Sequence, residues 1–314
     1  MRRIINKIKH AVGVGKWYVL STINSLYYIV TPSNRKIIVN GYFNKILFHV
    51  TQNNFGDDIN FYLLSKLSGR KVFSATNLLI SDMDNIVFIG SILQKYVSTK
   101  SIVWGAGVIK DDFKLPEKPK EVRAVRGPKT RQWLLNHGVN CPPIYCDPAL
   151  LLPLFYSPKI RKRYKYGIIP HYIDWNNPNV RILKGILGSN ACLIDMKHYG
   201  SVKKLIDRLN ECEYIISSSL HGLILSDAYR IPNIWVEFSN NVAGDGFKFH
   251  DYCMSINRSI VAPMKINELI DENVVLEKLS QYVTPTICVL PLLKSSPFPI
   301  SDEIINKAFD YYGQ

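Results

Sequence analysis

Short apolar runs alternate with longer amphipathic stretches along this chain. Residues 214–216 are an apolar run that ends in three serines, and residues 220–229 then carry apolar side chains at positions 220, 223, 224 and 228. That spacing predicts a helix with one buried face. Pro232 ends the helix, and residues 234–236 predict the next strand. Strand, turn, helix and strand in this order form a βαβ unit, which requires a parallel sheet.

The alternation continues in two series, and alternating strands and helices predict an α/β fold. The first series has strands at 36–39, 46–50, 86–89, 101–104 and 122–125, and helices at 59–67 and 129–137. The second has apolar segments at 166–170, 180–183 and 192–196 and a helix at 202–209, followed by the βαβ unit. Helical patterns at 265–285 and 302–312 complete the chain.

A proline-rich segment at 153–158 and a basic run at 159–165 separate the two series. We therefore predict one domain at 36–158 and a second at 159–275. Residues 1–35 form a basic N-terminal segment, and residues 276–314 form a C-terminal segment that can pack back on the first domain.

The N-terminal segment has two interpretations. Five basic residues at positions 2, 3, 7, 9 and 16 precede a moderately apolar stretch at 17–30. That stretch lacks the clean apolar run and small-residue cleavage site of a signal peptide, and polar residues at 21, 22, 24 and 25 interrupt it as a membrane span. It is either a helix packed on the fold, which the pattern favours, or a basic amphipathic segment on an anionic membrane surface.

Composition narrows the class of partner and the compartment. A net charge of +14 among 314 residues indicates anionic partners: phosphorylated substrates, an acidic membrane or nucleic acid. Scattered basic residues, without zinc-ligand pairs or a helix-turn-helix pattern, make nucleic acid the least favoured of the three. Six cysteines without a Cys-x-x-Cys pair indicate reduced thiols, most of them buried, in a cytoplasmic protein. The membrane-surface interpretation of the N-terminal segment would place that protein peripherally on the inner face of the cell membrane.

Candidate chemistry lies where predicted strands end and helices begin. His221 falls in the first turn of a helix, where free backbone N–H groups favour an anion. There it is either a general acid or base, or a residue that only packs and caps. Asp57 and Asp58 follow a similar strand-to-helix turn, as helix caps or as a carboxylate that takes a proton from a sugar hydroxyl. Arg126 precedes another helix and can grip a phosphate or carboxylate bidentately.

Other positions carry weaker signals. Gly105-x-Gly107 lacks the third glycine of a dinucleotide fingerprint. His171 follows the first strand of the second series, so a parallel sheet places it at the same edge as His221, but two histidines without a third ligand do not predict a metal site. Residues 240–246 predict a flexible loop that can close over a ligand, and Lys248 is a candidate anion contact.

Four stretches, in order, resemble the polysaccharide pyruvyl transferase family. They are Asn-Asn-Phe-Gly-Asp-Asp-Ile-Asn at 53–60, Val-Arg-Gly-Pro-Lys-Thr at 125–130, Cys-Asp-Pro-Ala-Leu-Leu-Leu-Pro at 146–153, and Ser-Ser-Ser-Leu-His-Gly-Leu-Ile at 217–224 followed by Ala-Tyr-Arg-Ile-Pro. The resemblance implies two Rossmann-like domains facing across a cleft, as in the glycosyltransferase B fold. It also implies transfer of pyruvate from phosphoenolpyruvate to two hydroxyls of a sugar in a surface polysaccharide or its lipid-linked precursor, forming a cyclic ketal without a cofactor.

The resemblance also assigns the candidate site. His221 and Asp57 become the catalytic residues, with His221 moving protons at the donor and Asp57 acting as base toward the acceptor. The donor's phosphate and carboxylate fall to Arg126, Ser218, Ser219 and Lys248, with Asn54, Gly56, Gly105, His171 and Glu237 as candidate cleft-lining residues.

The chain departs from this family at Ser219, where many members carry arginine. The departure keeps two alternatives open. One is a glycosyltransferase of the same fold, which would place the diphosphate of a nucleotide sugar on the same helix. The other is a non-catalytic protein that binds a glycan or a lipid phosphate.

Overall fold

A computed structural model describes residues 2–42, 45–46, 49–50, 54–259, 262–267 and 270–313. These residues contain the strands β1 (Lys36–Val39), β2 (Lys45–Ile46), β3 (His49–Val50), β4 (Lys71–Ser74), β5 (Asn85–Val87), β6 (Ser101–Trp104), β7 (Glu121–Ala124), β8 (Tyr164–Ile169), β9 (Ala191–Leu193), β10 (Cys212–Ser217), β11 (Asn233–Glu237) and β12 (Met264–Lys265). The helices are α1 (Arg2–Val30), α2 (Phe55–Ser68), α3 (Leu93–Tyr96), α4 (Pro128–Asn136), α5 (Pro178–Leu187), α6 (Val202–Asn210), α7 (Leu220–Ala228), α8 (Phe247–Ser255), α9 (Glu272–Ser280), α10 (Leu290–Lys294) and α11 (Asp302–Tyr312).

Two parallel five-stranded sheets organise the described residues. The first has the strand order β4-β1-β5-β6-β7 and the second β12-β11-β10-β8-β9, with parallel pairing throughout. When the strands of each sheet are numbered along the chain, both orders are 2-1-3-4-5, one of the two common doubly wound arrangements. The predicted α/β fold with parallel sheets is confirmed, and it is the sheet arrangement expected of Rossmann-like domains.

A buried connection joins the two sheets. The 3₁₀ segment Pro148–Leu154 lies in the core and packs against α2, α7 and α11. Leu150, Leu151 and Leu152 have no exposed surface, because they face helices from both halves. Tyr312 of α11 donates a hydrogen bond to the Leu150 carbonyl at 2.5 Å. The apolar packing therefore runs from one sheet to the other through this segment.

Several elements differ from their predicted extents. The strand predicted at 46–50 is instead a pair of two-residue strands, β2 and β3, in antiparallel pairing, and residues 47–48 lie outside the described part. Apolar residues 180–183 lie inside α5, which begins at Pro178 after an Asn177 side-chain cap. Among the described residues of the helical pattern at 265–285, α9 is the helix and Lys265 belongs to β12 instead. Strand β4 was not predicted. Short apolar runs do not distinguish a strand from a helix by periodicity alone.

Helix α1 packs on the first half through polar residues. Asn24 donates to the Asn77 carbonyl at 3.1 Å, and the Ser25 hydroxyl accepts from the Leu79 amide at 2.9 Å. Tyr28 meets Phe73 edge to face. This arrangement agrees with the packed interpretation of the N-terminal segment. Among the described residues, no helix is long and apolar enough to cross a membrane.

The cysteines lie mostly in the interior. All six are free thiols, five of them are buried, and only Cys288 is exposed. The prediction that most of them are small buried groups is confirmed.

Candidate functional site

A cavity of about 480 Å³ lies where chain segments following strands of both sheets come together. Residues after β1 and β5 line it from the first half, and residues after β8 and β10 line it from the second. In each sheet these are the two neighbouring strands between which the order of connection reverses. Doubly wound sheets bind ligands at this switch point, beyond the carboxyl ends of the strands. The cavity adjoins the switch points of both sheets.

The turn between β10 and α7 is held by serine hydroxyls. The Ser217 hydroxyl accepts from the Ser219 amide at 3.0 Å and lies 3.1 Å from the Ile169 carbonyl. The Ser218 hydroxyl accepts from the His171 amide at 2.8 Å. These bonds fix the end of β10 to the end of β8 and aim the first turn of α7 at the cavity. Ser219 is the N-cap residue of α7 and lines the cavity. Ser218, which was also predicted to bind the donor, is buried, does not line the cavity, and stabilises the turn through its bond to His171.

His221 stands in the first turn of α7 and lines the cavity. Its ring packs on Gly56, where an added Cβ would lie 2.0 Å from Nδ1 of His221. Nε2 of His221 is buried and has no hydrogen-bond partner among the described residues. Desolvation, and then the positive charges of Arg126 and Lys248, lower the His221 pKa to about 3. The imidazole is therefore neutral at physiological pH, with one enclosed polar atom unpaired.

Asp57 reaches the same cavity from the first turn of α2. Asn54, the residue before the helix, donates to the Asp57 carboxylate at 3.1 Å. Desolvation raises the Asp57 pKa to about 7, with the Asn54 hydrogen bond opposing the shift. Neither Asp57 nor Asp58 is the N-cap of α2, contrary to the prediction that they cap the helix. The N-cap is Asn54, which makes no side-chain cap bond, and Asp58 is buried and accepts a hydrogen bond from Tyr199 at 2.8 Å.

Lys248 is the buried cation at the cavity, whereas Lys95 and Lys197, which also line it, are exposed. It lies in the first turn of α8, is only 7% exposed, and has no ion pair or hydrogen bond within the part of the chain that the structure describes. Desolvation, and then repulsion from Arg126, lower the Lys248 pKa to about 8, while Asp57 partly offsets the shift. A buried, unpaired ammonium beside a cavity is suited to receiving an anion.

Arg126 does not line the cavity, which corrects the position expected for a donor-binding residue. It has no exposed surface, and Nε donates to the Asp251 carboxylate at 3.0 Å. One terminal nitrogen donates to the Ser91 hydroxyl at 2.5 Å and the other to the Val108 carbonyl at 2.8 Å. Asp251 also accepts from the Thr130 amide at 2.9 Å. Arg126 therefore joins the two halves behind the cavity and reaches it only through Ser91 and its electrostatic field.

The remaining predicted residues divide between two environments. Asn54 and His171 line the cavity, and desolvation lowers the His171 pKa to about 3. Gly105 packs on Pro148 instead, where an added Cβ would lie 2.2 Å from the proline ring, and its φ of +103° favours glycine. Glu237, at the end of β11, is half-buried and does not line the cavity. Gly105 and Glu237 are therefore not cleft-lining residues in this structure.

Sequence reasoning missed two sets of residues. Asn60 is fully buried and exchanges hydrogen bonds with Ile89, donating at 3.2 Å and accepting at 2.9 Å, which ties α2 to the segment after β5. Its place in the Gly-Asp-Asp-Ile-Asn motif was the available signal. Three tyrosines also line the cavity, and no local pattern marks them: Tyr42, Tyr96 and Tyr172.

The loop at 240–246 packs against the first half. An added Cβ at Gly244 would lie 2.5 Å from the Ile109 carbonyl oxygen, and Asp245 pairs with Lys110 at 2.8 Å. Ile109 also lines the cavity. The loop predicted to close over a ligand therefore contacts one wall of the cavity.

The arrangement combines anion binding with proton transfer. The N-termini of α2 and α7 and the buried ammonium of Lys248 favour an anion, and a neutral histidine and a carboxyl group with a pKa of about 7 can exchange protons nearby. No group of three or more potential metal ligands comes together within the described ranges.

Comparison with known proteins gives concordant results. A sequence model of the polysaccharide pyruvyl transferase family matches residues 24–240. An uncharacterised protein of Acanthamoeba polyphaga mimivirus is 28% identical over 282 residues, covering 83% of this chain and 96% of that protein. The succinoglycan biosynthesis protein ExoV of Rhizobium meliloti (strain 1021) is 31% identical over 216 residues, covering 65% of this chain and 61% of that protein.

Proposed function

The chain belongs to the polysaccharide pyruvyl transferase family, and from that premise we propose that it transfers pyruvate from phosphoenolpyruvate to two hydroxyls of one sugar. The product is a cyclic ketal on a polysaccharide or its lipid-linked precursor. The name of the relative ExoV, a succinoglycan biosynthesis protein, supports a polysaccharide acceptor.

One observation carries the proposal. His221 and Asp57 line the same cavity from the first turns of α7 and α2, which lie in different halves of the protein. Lys248 also lines that cavity and has no ion-pair partner among the described residues. The donor carries a phosphate and a carboxylate, and its reaction requires proton transfer beside both. The cavity offers these functions together.

In this proposal Lys248 supplies the positive charge that many family members supply by an arginine at the position of Ser219. Both residues line the cavity beside His221. The ammonium neutralises one anionic group of the donor, and the N–H groups at the start of α7 bind the other. Arg126 contributes through its electrostatic field and holds Ser91 at the wall.

The first half of the reaction forms one carbon–oxygen bond. The bound anion raises the His221 pKa, because an opposite charge favours imidazolium, and the histidine takes up a proton from solvent as the donor binds. Imidazolium transfers its proton to the methylene carbon of the donor, which makes the second carbon an oxocarbenium-like electrophile. A sugar hydroxyl attacks that carbon and gives its proton to the Asp57 carboxylate. The product is a tetrahedral carbon that carries methyl, carboxylate, phosphate and sugar oxygen.

The second half closes the ring and restores the enzyme. The bond between the tetrahedral carbon and the phosphate oxygen breaks, the electron pair leaves with phosphate, and Asp57 returns its proton to that oxygen. The second hydroxyl attacks the regenerated electrophile, and neutral His221 accepts its proton. Both residues recover their starting protonation, and the two hydroxyl protons are balanced by one on the new methyl group and one on phosphate.

The tyrosines form the acceptor side of the site in this proposal. Tyr42 and Tyr172 are 55% and 50% exposed although they line the cavity, and Tyr96, which also lines it, is half-buried. Tyrosine rings provide flat apolar faces with a hydroxyl at the edge, which suits the faces and hydroxyls of a sugar ring. Their position at the mouth favours a sugar that enters while the rest of the acceptor remains outside.

We further infer that the two sheets mark two domains, at 36–158 and 159–275, that face each other across the cavity as in the glycosyltransferase B fold. The repeated 2-1-3-4-5 strand order and the Asp251–Arg126 ion pair at 2.9 Å support this arrangement. Residues 276–314 pack back on the connection through α11.

The test measures phosphate release and acceptor mass. The purified protein is incubated with phosphoenolpyruvate and a panel of hexose-bearing oligosaccharides, in parallel with UDP-glucose and UDP-galactose. We expect phosphate release and the mass increase of a pyruvate ketal only with phosphoenolpyruvate. Transfer from a UDP-sugar would establish a glycosyltransferase instead, and an absence of binding to both donors would establish a non-catalytic protein.

A further inference from the structure

Helix α1 places polar side chains against the protein. Ser21, Asn24 and Ser25 are buried at spacings of three and four residues, so they share one helix face. Asn24 and Ser25 hydrogen-bond to the backbone at Asn77 and Leu79. These hydrogen bonds join the aromatic contacts of Tyr27 and Tyr28 with Phe73 in holding α1 on the protein.

The opposite face of α1 is apolar and exposed. Val19, Ile23, Leu26 and Val30 recur at intervals of four, three and four residues, and they are 60%, 44%, 58% and 74% exposed. We call these four residues the α1 stripe. At 100° per residue they fall within one narrow sector, about 180° from the centre of the buried polar face. A contiguous apolar stripe marks an interaction surface, whereas singly scattered exposed apolar residues require no explanation.

Charge identifies the partner. The 29 residues of α1 contain no aspartate or glutamate and carry basic residues at positions 2, 3, 7, 9 and 16. The whole chain has a net charge of +14. A second copy docked on the α1 stripe would bring two basic helices together, which their charge opposes. An anionic bilayer attracts the same helix and accepts its apolar face.

We propose that the α1 stripe docks on the surface of an anionic lipid bilayer. The helix lies in the interface plane, with the α1 stripe at the boundary of the acyl chains and the polar face still bonded to the protein. The packed and lipid-bound interpretations of the N-terminal segment therefore describe two faces of one helix. This inference is independent of the reaction catalysed in the cavity.

The experiment is co-sedimentation of the full chain with vesicles of phosphatidylcholine alone or of phosphatidylcholine and phosphatidylglycerol in equal amounts. We expect binding to the mixed vesicles that weakens as salt is raised. The double variant Ile23→Ser/Leu26→Ser should lose roughly tenfold or more in partition, because it removes half of the apolar stripe. Its melting temperature should be unchanged, because neither side chain is buried.

The matched control is Phe309→Ser, which removes an exposed apolar side chain from α11 at 55% exposure. It should bind vesicles like the wild type. Absence of binding to mixed vesicles, or equal binding by the double variant, would overturn the proposal. Light scattering after size exclusion tests a second copy as the occupant. A wild-type dimer that the double variant converts to monomer, without a loss of lipid binding, would assign the stripe to self-association.

Discussion

Replacing Lys248 with methionine should increase stability and weaken donor binding in the same protein. The side chain is 7% exposed, and its ammonium contacts the Phe249 ring at 5.5 Å without a hydrogen bond or ion pair among the described residues. Methionine has a similar length and no charge. The substitution therefore removes a desolvated cation and keeps most of the packing.

The stability change follows from the pKa. Burial lowers the Lys248 pKa from 10.5 to about 8, and one pKa unit corresponds to about 1.4 kcal/mol, so the charged side chain costs the folded state about 3 kcal/mol. Below pH 8 the lysine is charged in both states and the full cost is present. The cost falls as the pH rises from 8 to 10.5, because the folded state then releases its proton first.

The same substitution should weaken the binding of phosphoenolpyruvate. A hydrogen bond to a charged group contributes about 1.5–3 kcal/mol, and losing one should raise the KM for phosphoenolpyruvate about 10- to 150-fold if substrate dissociates faster than it reacts. Lys248→Arg retains the charge and should lose less. If Lys248 had only a structural role, replacing it with methionine would not be expected to increase stability and weaken donor binding together.

Two measurements decide the question: urea unfolding at pH 7 and at pH 10, and steady-state kinetics with varied phosphoenolpyruvate. Wild-type stability should rise relative to Lys248→Met between these pH values. Lys66→Met, an exposed substitution in α2, is the control and should change neither quantity. A destabilised Lys248→Met protein with an unchanged KM would refute the reasoning.

Four further substitutions test other parts of the site. His221→Ala should reduce turnover about 10²- to 10⁴-fold with little change in donor KM, because the backbone N–H groups remain. At saturating phosphoenolpyruvate, where the bound anion has raised the His221 pKa, plots of kcat against pH should fall on the acid side as Asp57 becomes protonated, and Asp57→Asn should remove that limb of the profile along with most activity. Arg126→Ala should destabilise the fold by about 3–5 kcal/mol in urea unfolding, since it leaves the buried Asp251 carboxylate without its ion pair. Tyr172→Ala should raise the acceptor KM and leave donor binding unchanged.

Each of these expectations has a contrary result. Near-normal turnover of folded His221→Ala would remove the histidine from the mechanism, and an acid limb that survives in Asp57→Asn would assign it to another group. An Arg126→Ala protein as stable as the wild type would show that the ion pair does not hold the two halves. Equal acceptor KM values for Tyr172→Ala and the wild type would exclude stacking there.

The sequence by itself determined the alternation of strands and helices and the positions where helices begin. Strands β1 and β6 and helix α11 have their predicted bounds. Helix α7 begins after the serines that mark its start, and His221 lies in its first turn as predicted. These features depend on neighbours within a few residues, and hydrophobic periodicity and turn chemistry record such neighbours directly.

The tertiary structure alone decided which predicted residues meet. Arg126 is buried with its carboxylate partner Asp251, which lies 125 residues away in the sequence. Asp58 likewise bonds to Tyr199, which lies 141 residues away. The apolar side of α1 faces outward because distant backbone groups bind its polar side. Periodicity records that a helix has two faces and does not record what each face meets. That choice depends on contacts between segments far apart in sequence, which only the folded chain brings together.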